Sequence, residues 1–146
     1  MSEASPFHNV KQAVPFFAVT DMARSLDFYM MGLGCAMTNE WTVAGELRWC
    51  WLQLGHAALM LQRFRTEGPN ARKLEGKLGE GVTVCFVCED ALDFYREIKD
   101  QGLAPTRPFV GNHMWTTSIR DPDGYRLEFE SPTDVPEDTE FDEPSA

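Results

Sequence analysis

The chain has 146 residues, 43% of them hydrophobic and 12% aromatic, enough for one domain with a real core and too apolar for disorder over most of its length. A net charge of −10 argues against nucleic acid as a partner. No apolar run approaches the ~20 residues of a membrane span, and the opening MSEASPFHNVKQ has neither a basic nor an apolar signal region, so a soluble cytoplasmic protein is expected.

Residues 1–11 read as an N-terminal extension. The uncharged run AVPFFAV, rich in β-formers, predicts a buried strand ending at Val19. Thr20 or Asp21 can cap a helix that starts at Met22. Ala23, Leu26, Phe28 and Tyr29 keep helical spacing, and Gly32 and Gly34 suit its C-terminal end. A short strand is expected around Met37 to Val43. LRWCWLQLGHAALMLQRF reads as two strands joined at Gly55-His56, a two-residue hairpin signal. The polar, glycine-bearing RTEGPNARKLEGKLGEG is a linker, about 65–80.

The same order then recurs. VTVCFVC predicts a strand, Glu89 to Gln101 a helix closed by Gly102, and Pro105 to Phe109 a short strand. HMWTTSIR and YRLEFES are strands joined by DPDG, whose proline and glycine suit a tight turn. LDFY occurs in both helices, at Leu26–Tyr29 and at Leu92–Tyr95. The chain is therefore two copies of one βαβββ unit. Residues 132–146 form an acidic C-terminal tail, which is expected to be solvated.

Hairpin pairing assigns faces. With a two-residue loop, Leu54 pairs with Ala57, Leu52 with Leu59 and Trp51 with Met60. Leu52, Leu54, Leu59 and Leu61 then face the helix, while Trp49, Trp51, Met60 and Gln62 share the other side. In the second unit Leu127 and Phe129 are the helix-facing pair, which sends Glu128 to the far face, expected there with His113, Trp115 and Thr117. So apolar a second face suits a ligand cavity. Cys35, Cys50, Cys85 and Cys88 are not expected to form disulfides. CFVC lies in a strand, where side chains three apart point to opposite faces, so no redox or zinc pair is expected. Arg24, Asp27, Arg96, Glu97 and Lys99 read as solvated helix faces, and Asp121 and Asp123 as turn formers.

VPFFAVTDMARSLDFYMMGLG, followed much later by SIRDPDGYRLEFES, resembles the vicinal oxygen chelate superfamily of glyoxalase I, extradiol dioxygenases, and fosfomycin- and bleomycin-resistance proteins. The resemblance covers residues 12–131 and implies an α+β fold. Two βαβββ modules, about 12–64 and 81–131, would curve mixed sheets around a shared concave cavity with helices outside, often in a homodimer. In metal-dependent members, four His, Gln or Glu side chains on the first and last strands of each module hold the ion. Carried over, those positions are Val14, Met60, Val82 and Glu128. Only Glu128 suits a hard or borderline cation, so the resemblance implies no metal and no cofactor. It points instead to bleomycin-resistance-type binding of a planar aromatic ligand, neutral or cationic, such as an antibiotic. Val14, Phe16, Trp49, Trp51, Met60, Val82, Val84, His113, Trp115 and Glu128 are the expected lining. The alternative is a metal-independent lyase or isomerase using Glu128 as general acid or base beside His113. A third is a module whose ligand is a metabolite or another protein.

Overall fold

The computed structural model describes residue 6 and residues 8–65, 67–69, 71 and 76–143, so part of the linker and both extreme ends lie outside the described residues. Strand β1, Phe16–Val19, leads into helix α1, Met22–Leu26. Asp21 stays extended and its carboxylate accepts the Arg24 N–H at 3.1 Å, which satisfies one orphan donor of the first turn. The helix widens into a π-helical stretch over Asp27–Gly32. Gly34, at φ +87°, then redirects the chain into β2, Ala36–Val43. β3, Glu46–Leu54, and β4, Ala57–Arg63, follow as a hairpin with Gly55-His56 at its tip. The sheet order is β1-β4-β3-β2, with β1 parallel to β4.

The second unit repeats this plan with β5, Thr83–Val87, α2, Ala91–Asp100, β6, Phe109–Gly111, β7, Met114–Arg120, and β8, Arg126–Pro132. Its order, β5-β8-β7-β6, matches the first sheet strand for strand. Asp90 caps α2 as Asp21 caps α1, accepting the Asp93 N–H at 3.1 Å, so the helix starts two residues later than the sequence predicts. The strand expected at Pro105 to Phe109 is displaced to Phe109–Gly111. Pro105 and Pro108 lack the N–H a ladder needs.

One apolar core serves both units from their helix sides. Phe17, Tyr29, Leu52, Leu59 and Leu61 belong to the same buried cluster as Phe86, Ile98, Leu127 and Phe129. The Phe17 ring stacks on Tyr125 with centroids 4.4 Å apart, and the Tyr125 hydroxyl donates to the Ala18 carbonyl at 2.9 Å. The Tyr29 hydroxyl donates to Asp121 Oδ2 at 2.8 Å, and Arg24 Nη2 to the Pro122 carbonyl at 2.6 Å. Helix sides therefore meet inside the chain, and the opposite faces of both sheets are left outward.

The tail is docked, not solvated as expected. Phe109 bridges Glu140, and Val110 N–H donates to the Thr139 carbonyl at 2.9 Å. Phe141 packs edge-on against Tyr95 and Trp115, with the Arg96 guanidinium 5.3 Å from its ring. The Glu137 carboxylate accepts the backbone N–H groups of Asn112 and His113. Apolar Phe141 and these paired acids explain why an acidic segment can lie against the fold. Among the described residues no helix is long and apolar enough to cross a membrane.

Candidate functional site

The outer face of the first sheet follows from strand register. Trp41 lies opposite Trp49, Trp49 opposite Gln62, and Trp51 opposite Met60. Met60 lies beside Phe16, and Gln62 beside Ala18. Directly paired residues share a face, so Phe16, Trp41, Trp49, Trp51 and Met60 form one apolar surface. Phe16 is 52% and Trp41 51% exposed. The Trp51 indole N–H donates to Gln53 Oε1 at 3.0 Å, which fixes one ring of the surface. Two cavities open at its border. One of about 440 Å³ is lined by Phe16, Ala18, Gln62, Arg63, Phe64 and Arg65. The other, about 220 Å³, is lined by Trp41, Val43, Arg48, Gln62, Arg63 and Arg65. A larger cleft of about 730 Å³ runs between the units from Pro15 and His56 to Val87, and no tryptophan lines it.

The second sheet departs from expectation. Ser118 pairs with Glu128, and Trp115 with Ser131, so Trp115 and Glu128 take opposite faces. The cause is the DPDG turn. Asp121 N–H donates to the Tyr125 carbonyl at 2.8 Å, leaving three residues, Pro122–Gly124, in the loop. An odd loop reverses the parity an even one would give, and every side chain changes face. Trp115 therefore packs among the helix-side groups against Phe141. Thr117 is buried there, its hydroxyl donating to the Thr106 carbonyl at 2.6 Å. His113 is exposed in the β6–β7 turn at φ +63°. It stands five residues along the strand from Ser118, roughly 16 Å from the level of Glu128. Glu128 and His113 thus do not form an acid–base pair.

The two first-strand positions carried over from the resemblance lie just outside the strands. Val14 precedes β1 and Val82, 62% exposed, precedes β5. The residue beside Met60 is Phe16, and the residue beside Glu128 is Cys85. Val84 lies beside Leu127 and packs against the core, so it leaves the expected lining. Phe16 and Met60 are thus neighbours in the first sheet, and Cys85 and Glu128 in the second. At the positions carried over from the superfamily, Val14 and Val82 offer no ligand atom and Met60 only a thioether, and the phenyl ring of Phe16 beside Met60 adds none, so these residues do not fit a zinc, iron or manganese site. Among the described residues, Cys85 Sγ, Glu128 and Glu130 bring ligand atoms within 4.8 Å of one another. All three stand on one flank of the second sheet. Burial, then hydrogen bonding to Glu130 and the charges of Glu130 and Glu128, push the Cys85 thiol up to about 12, away from the thiolate a metal requires.

Trp41 on the outer face of the first sheet and Cys85 beside Glu128 are placements that sequence reasoning missed. The strand holding Trp41 was legible, but register shifts at Met37/Asn39 and Trp41/Thr42 hide its face. Cys85 was visible only as half of CFVC, and its neighbour on β8 follows from the parallel register of β5.

The family model described as Glyoxalase/Bleomycin resistance protein/Dioxygenase superfamily matches residues 10–129. No curated protein matches the chain significantly in sequence. Solved structures share the fold at low identity. TioX from Micromonospora sp. ML1 is 20% identical with a TM-score of 0.66, covering 84% of this chain and 99% of its own. The antibiotic binding protein TnmS3 from Streptomyces sp. CB03234 is 18% identical with a TM-score of 0.59, covering 86% and 100%. Lactoylglutathione lyase from Agrobacterium tumefaciens is 19% identical with a TM-score of 0.58, covering 83% and 94%.

Proposed function

Because the chain belongs to the glyoxalase/bleomycin resistance protein/dioxygenase superfamily, we propose that it acts as one of that superfamily's small-molecule binders, sequestering a planar aromatic ligand without a metal. The observation that carries this is the outward surface of Trp41, Trp49, Trp51, Phe16 and Met60. Flat rings stack on indoles, and aromatic pairs add about 0.5–1.5 kcal/mol beyond the apolar area they bury. Val14, Met60 and Val82 at the carried-over metal-ligand positions support binding over metal-dependent chemistry. Likeness in fold to a named antibiotic-binding protein supports an antibiotic as ligand class.

Pairing of two chains belongs to the same proposal. The helix sides are used up within the chain, while Phe16, Trp41, Val82 and Val87 remain exposed on or beside the outer faces. Closed two-fold pairing is the common way to cover such surfaces. It would set the tryptophan face of one copy against the Glu128 face of the other. Native mass spectrometry of freshly purified protein tests the proposal. The expected result is a dimer mass with retained organic ligand or uptake of an added planar antibiotic. A monomer that takes up none of a panel of intercalating and glycopeptide-type antibiotics would overturn it.

A further inference from the structure

The groups that border the tryptophan face are cationic. Arg63 and Arg65 line both cavities, and Arg48 lines the smaller one. That is unexpected in a chain of net charge −10. One carboxylate answers two of them: Glu46 Oε2 accepts from Arg63 Nη1 at 3.0 Å and lies 3.4 Å from Arg48 Nη2. Arg65 makes no ion pair among the described residues. Arg48 Nε is buried and donates to no acceptor among the described residues. A buried donor left in that state is costly until an acceptor reaches it. Gln62, between Ala18 and Trp49 in the ladder, lies in both cavities and adds a neutral amide. The carboxylates of Glu128 and Glu130 belong to the other sheet.

We infer that the tryptophan face binds an aromatic molecule carrying an oxyanion, its ring on Trp49 and Trp51 and its oxyanion held by Arg65 and Arg48 beside Gln62. The planar fork of guanidinium donors matches a carboxylate, sulfonate or phosphate edge better than a point charge does. Arg63, tethered to Glu46, adds positive potential without leaving its place. The inference rests on the aromatic-ligand function proposed above and fixes the charge of that ligand.

Three probes with one skeleton separate ring from charge: 2-naphthoate, 2-naphthamide and 2-naphthylmethylammonium. Affinities are read from tryptophan quenching on the intact chain at low and high salt. Naphthoate is expected to bind about tenfold more tightly than naphthamide at low salt, with the cation weakest and the gap narrowing as salt rises. Arg65→Gln, at an exposed position whose change does not threaten folding, should remove most of the naphthoate advantage and leave naphthamide within about twofold. Trp51→Ala should weaken all three. If the cation binds best, if naphthoate and naphthamide bind alike, or if Arg65→Gln leaves their ratio unchanged, the oxyanion inference falls while the aromatic function stands. If no probe binds, or Trp51→Ala weakens none of them, both fall together.

Discussion

Tyr29→Phe deletes one hydroxyl at the joint between the two units. That hydroxyl donates to Asp121 Oδ2 at 2.8 Å in a buried setting, and the Asp121 carboxylate also accepts the backbone N–H groups of Asp123 and Tyr125, at 3.0 and 2.8 Å. A hydrogen bond to a charged group contributes about 1.5–3 kcal/mol, and the phenyl ring keeps the packing against Phe17 and Phe28. The expected loss is therefore about 2 kcal/mol, or roughly 4–8 °C in Tm for a domain of this size. The loss also carries a pH signature. Burial raises the Asp121 carboxyl above its ordinary value, while the Tyr29 hydroxyl and the two backbone N–H groups pull it back down. A raised folded pKa means that stability is fullest below the unfolded value and falls as pH rises through the folded one. Phenylalanine removes one of the lowering partners, so Asp121 rises further and its ionisation costs the variant more. Urea denaturation at pH 7 and in mild acid checks this, with the larger loss expected at pH 7. A loss below about 0.5 kcal/mol at neutral pH, or a loss that grows in acid, would refute this account of the joint.

Phe141→Ala should cost about 2 kcal/mol in urea unfolding, roughly half the value for a fully buried phenylalanine, because its ring touches Tyr95 and Trp115 while staying half-exposed; no change would mean that the tail is not held. Cys85 is exposed, yet its thiol is pushed up to about 12, so alkylation at pH 8 should run at least about a hundredfold slower than for an ordinary thiol, and Glu130→Gln should speed it. Peptide mapping by mass spectrometry reads the rate, and ordinary reactivity in the native chain would contradict the local electrostatics. Dialysis against EDTA should leave both Tm and 2-naphthamide binding unchanged, and elemental analysis should find well under one equivalent of zinc, iron, manganese or nickel; a stoichiometric ion that survives dialysis would contradict metal independence.

Much of the fold is local enough to be legible. Asp21 and Asp90 mark both helix starts, and Gly55-His56 fixes the Trp51–Met60 pairing because a two-residue loop allows one register. The doubled LDFY exposes the repeat, since Tyr29 and Tyr95 are buried in equivalent helical segments. What could not be read is whatever depends on one residue of slip. Three loop residues at Pro122–Gly124 send Trp115 to the helix side, and register shifts along β2 bring Trp41 out beside Trp49. Tail docking is long-range as well, since the Phe141 N–H reaches the Pro108 carbonyl at 2.8 Å across a segment whose composition reads as solvent-loving. The resemblance carries the first-strand metal positions to Val14 and Val82, which precede β1 and β5, whereas the strand neighbours of Met60 and Glu128 are Phe16 and Cys85, a pairing only the register reveals.

The central claim is that aromatic ligands bind on the outer face of the first sheet. The chain has four tryptophans, three on that face and Trp115 on the helix side of the other sheet, so its indole N–H groups report the two locations separately. Two-dimensional ¹⁵N–¹H spectra recorded during titration with 2-naphthamide resolve them, with Trp51 identified by its hydrogen bond to Gln53 and by its loss in Trp51→Ala. The expected result is saturable movement of the Trp41, Trp49 and Trp51 signals with Trp115 unmoved. Movement of Trp115 alone, or no saturable movement of any indole signal, would contradict the claim.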